Sequence, residues 1–261
     1  MLTAISSTIG CLGYFFRARN GTFLQKAALL ARVRRNLRRV PSLTNFREQL
    51  VILATLLDLP SSIAGVVVEC GAFQGGTTVN LSLACRMLGR QLYVFDSFAG
   101  LPEASPEDSR HTLLASSEAH LYAAGAFACS KKSVEAAIAR WGASEVCTLV
   151  PGYFEHTLPH FCQPTAFVYS DVDLRASEET CLRYLWPQLQ DGCHFFTHEA
   201  SHSEIASVFY DSAFWNGKPP GLVGAGSGLG LYPNGQGFLG SAIGYTVKNP
   251  AALRESIYGA A

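Results

Sequence analysis

Val66-Val67-Val68-Glu69-Cys70-Gly71-Ala72-Phe73-Gln74-Gly75-Gly76-Thr77 is the stretch that decides the fold. An apolar β-branched run meets an acidic residue, then a glycine-bearing turn, then the start of a helix, which is how a strand enters a helix in an α/β sheet. Glycines let backbone come close to a ligand, and the amides at a helix N-terminus can hold a carboxylate. The stretch does not spell G-x-G-x-x-G and lacks the Gly-Lys-Ser/Thr of a P-loop, so neither a dinucleotide nor a nucleoside triphosphate is its natural tenant. Glu69, at the strand end, suits a ligand ammonium such as that of an amino acid. The competing reading is a tight turn with a surface glutamate.

Downstream, short β-branched and aromatic runs alternate with helical stretches. Strands are expected in GVVVEC (65–70), QLYVFD (91–96), VCTLVPG (146–152), AFVYSD (166–171) and CHFFTH (193–198), with helices near 76–89, 131–141, 177–190 and 201–214. This pattern builds a doubly wound, mostly parallel α/β sheet with helices on both faces. Residues 99–130 are too long for an ordinary connection and read as an active-site lid or an acceptor-binding insertion. The glycine-rich 221–240 reads as loops and hairpin turns, and SAIGYTVKN (241–249) as a closing edge strand.

Upstream, 24–39 forms an amphipathic helix with a basic face of Arg32, Arg34, Arg35, Arg38 and Arg39; a solvated face is the plain reading, an anionic acceptor or lipid surface the alternative. Pro41 breaks it, and 46–57 restarts the helical period. The division expected is an N-terminal arm and basic helix over 1–45 and one catalytic domain over 46–261. Residues 1–16 are mildly apolar, but Arg17 and Arg19 follow the run instead of preceding it, the wrong order for a secretory signal, and the run is too short to span a bilayer. A tail packed on its own domain is the preferred reading; an interfacial anchor or an arm reaching a second subunit of a homo-oligomer are the others.

The 261 residues are 48% hydrophobic and 15% charged, which excludes a disordered chain. Lysine plus arginine equals aspartate plus glutamate at 20 each, so no net field draws the protein to nucleic acid. Eight cysteines lie at 11, 70, 85, 129, 147, 162, 181 and 193 with no C-x-x-C pair, which reads as free thiols in a reducing cytoplasm.

Asp96 ends the second strand, where such sheets bind ribose hydroxyls, and with the upstream turn it points to a nucleoside. Asp171 and Asp173 follow the fourth strand, and His198-Glu199 the fifth. Neighbouring strands bring their ends together, so three oxygens and an imidazole can converge on a divalent cation. Against this stand helix capping for the aspartates, with Ser177 the better-placed cap, and a satisfied core histidine for His198. His194 and His202 do not complete a three-histidine zinc site.

The segments VVVECGAFQGGTT (66–78), YVFDSFAGLPE (93–103), PGYFEHTLP (151–159) and SDVDLRASEETCLRYLWPQL (170–189) resemble the macrocin O-methyltransferase (TylF-like) family, over about 46–215. The resemblance implies a Rossmann-like class I methyltransferase sheet and S-adenosylmethionine as cofactor, with a sugar or glycosylated natural product as hydroxyl acceptor. It implies that Glu69, Gly71 and Phe73 border the methionine part, Asp96 the ribose, and Gly152 and Tyr153 the adenine, with Thr77, Ser97 and Asp171 also beside the cofactor. The family's magnesium site maps onto Asp171, His198 and Glu199, and its general base onto Asp173. Members carry paired aspartates where this chain has His198-Glu199, so the ion expected shifts from magnesium toward manganese or zinc, or no ion binds and His198 is itself the base. The rival reading is a scaffold that keeps the fold and has lost catalysis.

Overall fold

The structure is a computed structural model that describes residues 2–105, 108, 122–223 and 241–251, the side chains of 2–7 excepted. Its centre is β1 (Val66–Cys70), four of whose five residues are buried. β1 pairs with β2 (Leu92–Asp96) on one side and with β4 (Thr165–Ser170) on the other, both parallel. β3 (Cys147–Pro151) joins β2, and β5 (Leu189–Thr197) joins β4. β6 (Gly244–Val247) closes the sheet antiparallel to β5, giving the order β3-β2-β1-β4-β5-β6.

The chain therefore moves outward from β1 to β3, then returns to the other side for β4 and β5. Right-handed crossovers place the helices of those two halves on opposite faces and leave a crevice where the direction reverses. α4 (Gly76–Leu88) and α5 (Lys131–Trp141) belong to the first half; α6 (Phe154–Thr157) and α7 (Arg175–Gln188) to the second. The expected doubly wound Rossmann-like sheet is thus the observed one.

The N-terminal segment adds α1 (Leu2–Arg17), α2 (Phe23–Asn36) and α3 (Phe46–Leu57). α1 lies on α3, and its Cys11 and Phe15 are fully buried in the same apolar core as the sheet. Lys26 of α2 ends α1 by donating from its ammonium to the carbonyls of Phe16 and Ala18, the favourable end of the helix dipole. The apolar N-terminus thus packs on its own fold, and no helix among the described residues is long and apolar enough to cross a membrane. The five arginines of the basic stretch are exposed, with Arg34 over the Phe46 ring and Arg35 over Trp141. All eight cysteines are free; five are buried, while Cys129 and Cys147 are half-buried and Cys162 is exposed.

Two helix expectations need correction. The helix placed at 177–190 runs from Arg175 to Gln188, with Leu174 as N-cap, so Ser177 lies inside it and caps nothing. The helix placed at 201–214 is broken into α8 (Ser203–Ala206), a 3-10 turn and α9 (Ser212–Trp215), because the Asp211 side chain accepts from the Ala213 and Phe214 amides and starts a new cap there. The glycine-rich stretch lies outside the described residues beyond Val223, which bridges to Tyr245 of β6. The middle of the 99–130 connection, apart from residue 108, lies outside them too, but its neck is described: Leu101 N–H donates to Ala126 and Gly125 N–H to Leu101, each at 2.9 Å.

Because Phe15 is fully buried between α1 and the shared core, Phe15→Ala is expected to cost about 3–5 kcal/mol in urea unfolding, within a single transition. An unchanged midpoint would show that α1 is not part of the cooperative unit.

Candidate functional site

The parallel ladders continue one residue past the strand ends. Gly71 N–H donates to Phe95, Asp171 N–H to Cys70 and His198 N–H to Ser170, at 2.8–2.9 Å, which carries the residues after β1, β4 and β5 to one rim. At that rim residue 71 has φ +86, and a Cβ there would stand 1.8 Å from the Asp171 carbonyl oxygen. Only glycine serves. Gly75, at φ +87, then opens α4.

Asp96 holds this turn. Its Oδ2 accepts from the Ala72 amide at 2.6 Å and the Phe73 amide at 3.3 Å, and its Oδ1 from the Phe98 amide at 2.6 Å. Burial pushes its pKa up, against the pull of those amides. Phe73 and Phe98 both take left-handed backbone, rare for bulky residues, and Phe73 meets the edge of Phe127 with ring centres 5.8 Å apart.

These elements enclose a cleft of about 800 Å³, counting space open to solvent. Gly71, Phe73, Thr77, Asp96, Ser97, Tyr153, Asp171 and Asp173 all line it. Gly152 sits beside the lining residue Tyr153, its amide donating to the Asp96 carbonyl. Glu69, expected at the methionine part of the cofactor, lies on β1 ahead of the turn. It is fully buried behind the turn and does not line the cleft, and neither carboxyl oxygen has a hydrogen-bond partner. Burial raises its pKa to about 8, with the Thr78 hydroxyl drawing it the other way and Asp171 and Asp96 adding to the rise.

The second group meets beneath the floor formed by Asp171 and Asp173. His198 Nδ1 lies 3.4 Å from Asp171 Oδ1, and donor atoms of Asp171, His198 and Glu199 fall within 4.8 Å of one another. Burial alone would lower the His198 pKa, but Asp171, Glu48 and Glu199 raise it to about 10. Asp173, in left-handed backbone at φ 62, is pushed well up by burial and then by repulsion from Glu199 and Asp171. Three carboxylates and one imidazole this close call for positive charge, and Glu199 Oε1 is buried with no hydrogen-bond partner. The set therefore fits a divalent cation, and its nitrogen and oxygen donors suit manganese or zinc better than magnesium. His202 pairs with Glu199 at 2.7 Å, while His194 sits between the Phe196 and Tyr245 rings, its pKa lowered by burial to about 4. Neither joins a three-histidine site.

Several contributors escaped sequence reasoning. Pro41, Ser42 and Leu43, the break between α2 and α3, line the cleft. Thr44 meets the Tyr169 hydroxyl at 2.7 Å, and that hydroxyl donates to Asp171 Oδ2 at 3.1 Å. Gln49 donates to Thr77 at 3.0 Å. Glu48 reaches His198. Their only trace in the sequence is the N-x-x-E punctuation of a helix start, Asn45 to Glu48.

The raised pKa of Glu69 gives a signed prediction. The folded chain keeps this proton up to about pH 8, whereas the unfolded chain releases it near the ordinary 4.5, so its contribution is present below pH 4.5 and is lost as pH rises toward 8. Over that window wild type is expected to lose on the order of 4 kcal/mol more stability than Glu69→Gln, measured by urea unfolding at each pH. Glu178, also raised to about 8 by burial, is common to both and cancels. Parallel curves would refute the neutral buried acid.

The sequence profile described as Macrocin-O-methyltransferase (TylF) matches residues 47–208. Among solved structures, "Structure of the O-methyltransferase NovP" is 19% identical with a TM-score of 0.61, covering 77% of this chain and 80% of that one. "Crystal Structure of CalS11, Calicheamicin Methyltransferase" is 16% identical with a TM-score of 0.54, covering 89% and 96%. At these identities the two structures establish a shared fold. No curated protein sequence matches. With well over half of its length matched by the profile, on a sheet wound like those of the two solved enzymes, the chain belongs to the macrocin O-methyltransferase family, and its chemistry is S-adenosylmethionine-dependent O-methylation.

Proposed function

We propose that this chain methylates a hydroxyl of a sugar or of a glycosylated natural product. One observation carries the reading: a single cleft is lined at once by the Gly71–Thr77 turn, by Asp96 and Ser97, and by Asp171 and Asp173. The acceptor class is supported by the family's name and by the name of the CalS11 neighbour, a calicheamicin methyltransferase. We read 46–261 as the methyltransferase domain and 1–45 as an extension built onto it.

In this reading the methionine end of the cofactor lies on the amides of the turn, its ribose toward Asp96 and its adenine toward Tyr153. The acceptor oxygen attacks the methyl carbon in line; the carbon–sulfur bond breaks and its electron pair stays on sulfur, leaving a neutral thioether. The hydroxyl proton passes to Asp173, which lines the cleft and is not one of the three candidate ligands. A divalent cation held by Asp171, His198 and Glu199 would supply positive charge that lowers the pKa of the acceptor hydroxyl. Asp173 is preferred as base over His198, because Asp173 lines the cleft and His198 does not, its Nδ1 being turned to Asp171.

Calorimetric titration is expected to show S-adenosylmethionine binding by the purified chain; no binding with or without added metal would remove the reading. Asp173→Asn is expected to lower kcat by about 10²–10⁴ while cofactor affinity stays within about threefold. Wild-type turnover in that variant would place the base elsewhere.

A further inference from the structure

Each of the three candidate ligands has one polar atom facing a neighbour, by a hydrogen bond or close ion pair for the two acids and at ion-pair distance for the imidazole, and one left over. Asp171 Oδ2 accepts from the Tyr169 hydroxyl, leaving Oδ1. Glu199 Oε2 is paired with His202, leaving Oε1, buried and without a hydrogen-bond partner. His198 Nε2 is buried and points to Glu48, its Oε2 3.8 Å away, leaving Nδ1 beside Asp171 Oδ1. The 3.4 Å between those last two atoms matches two ligand atoms bound at about 2.0–2.2 Å to one ion.

Glu48 is itself held firmly. It lies at the third position of α3, where Oε2 accepts from the Asn45 amide at 2.8 Å, and Oε1 accepts from the Ser241 hydroxyl and the Ala242 amide, each at 3.0 Å. It is 1% exposed. A metal-bound imidazole usually donates its second N–H to a carboxylate, which fixes the ring and strengthens the ligand.

Resting on the reading that the cluster takes a divalent cation, we propose that Glu48 is a positioning residue: it turns Nε2 of His198 away and presents Nδ1 with Asp171 and Glu199, so the site selects a nitrogen-preferring ion over magnesium.

The test is metal competition against a chromophoric chelator on the full chain with Zn²⁺, Mn²⁺ and Mg²⁺. Zn²⁺ is expected to bind at least about tenfold more tightly than Mg²⁺. Glu48→Gln is expected to weaken Zn²⁺ by about 10- to 100-fold. In His198→Asp the Zn²⁺ preference is expected to shrink, and adding Glu48→Gln to that variant should cost nothing further. Equal weakening in both backgrounds, or none in either, overturns the proposal while leaving the cation reading intact. No ion binding in a chain that still binds S-adenosylmethionine overturns the cation reading and the proposal with it. Should Glu48→Gln not fold, pulsed EPR of the Cu²⁺-loaded wild type decides: a coordinated imidazole nitrogen with a strongly hydrogen-bonded remote N–H supports the proposal, and its absence overturns it.

Discussion

The carbonyl oxygen of Asp171 occupies the place where a side chain on residue 71 would begin. That contact locks the ends of β1 and β4 together at the point where the sheet reverses its winding, and the cleft follows from it. With the two backbones pressed together, the chain after β1 must turn sharply. Asp96 on the next strand is then near enough to bind the turn's amides, and the acids after β4 face the same space. A methyl group at position 71 would pry these ends apart.

A buried polar chain runs beside that contact. Asn36 donates to Asn80, Asn80 to Gln49 and Gln49 to Thr77; Thr77 meets Thr44, Thr44 meets Tyr169, and Tyr169 reaches Asp171. Each such bond contributes only about 1 kcal/mol net, but leaving one of its groups unpaired in the interior costs about 1–3 kcal/mol. Together with α1 on α3, the chain joins the N-terminal helices to the cleft as one structure. Glu48 serves the same junction from the other side, joining α3 to the segment before β6.

The strands were legible because buried parallel strands read as unbroken runs of β-branched and aromatic residues, and the start of α4 because the glycine turn ending at Gly75 punctuates it. The convergence of Asp171, His198 and Glu199 was legible too, since strand neighbours share an end. What stayed hidden depends on distant partners. Glu48 and His198 are 150 positions apart, and nothing local marks them as neighbours. Glu69 reads like a ligand acid because it precedes the turn; its burial is decided by how β2 and β4 flank it. The break near Asp211 was missed because a capping aspartate inside an apolar period looks like one polar position on a helix.

The neck at Leu101, Gly125 and Ala126 ties the two ends of the long connection together. Two backbone hydrogen bonds anchor the stem, and doubling the length of chain that it closes would cost only about 0.6 kcal/mol in closure entropy. Variation there leaves the glycine turn and the acid cluster where they are. A stem of this kind lets the reacting centre stay constant while the sequence beyond it changes, and it marks positions 101 and 126 as the natural joints for grafting one enzyme's connection onto another.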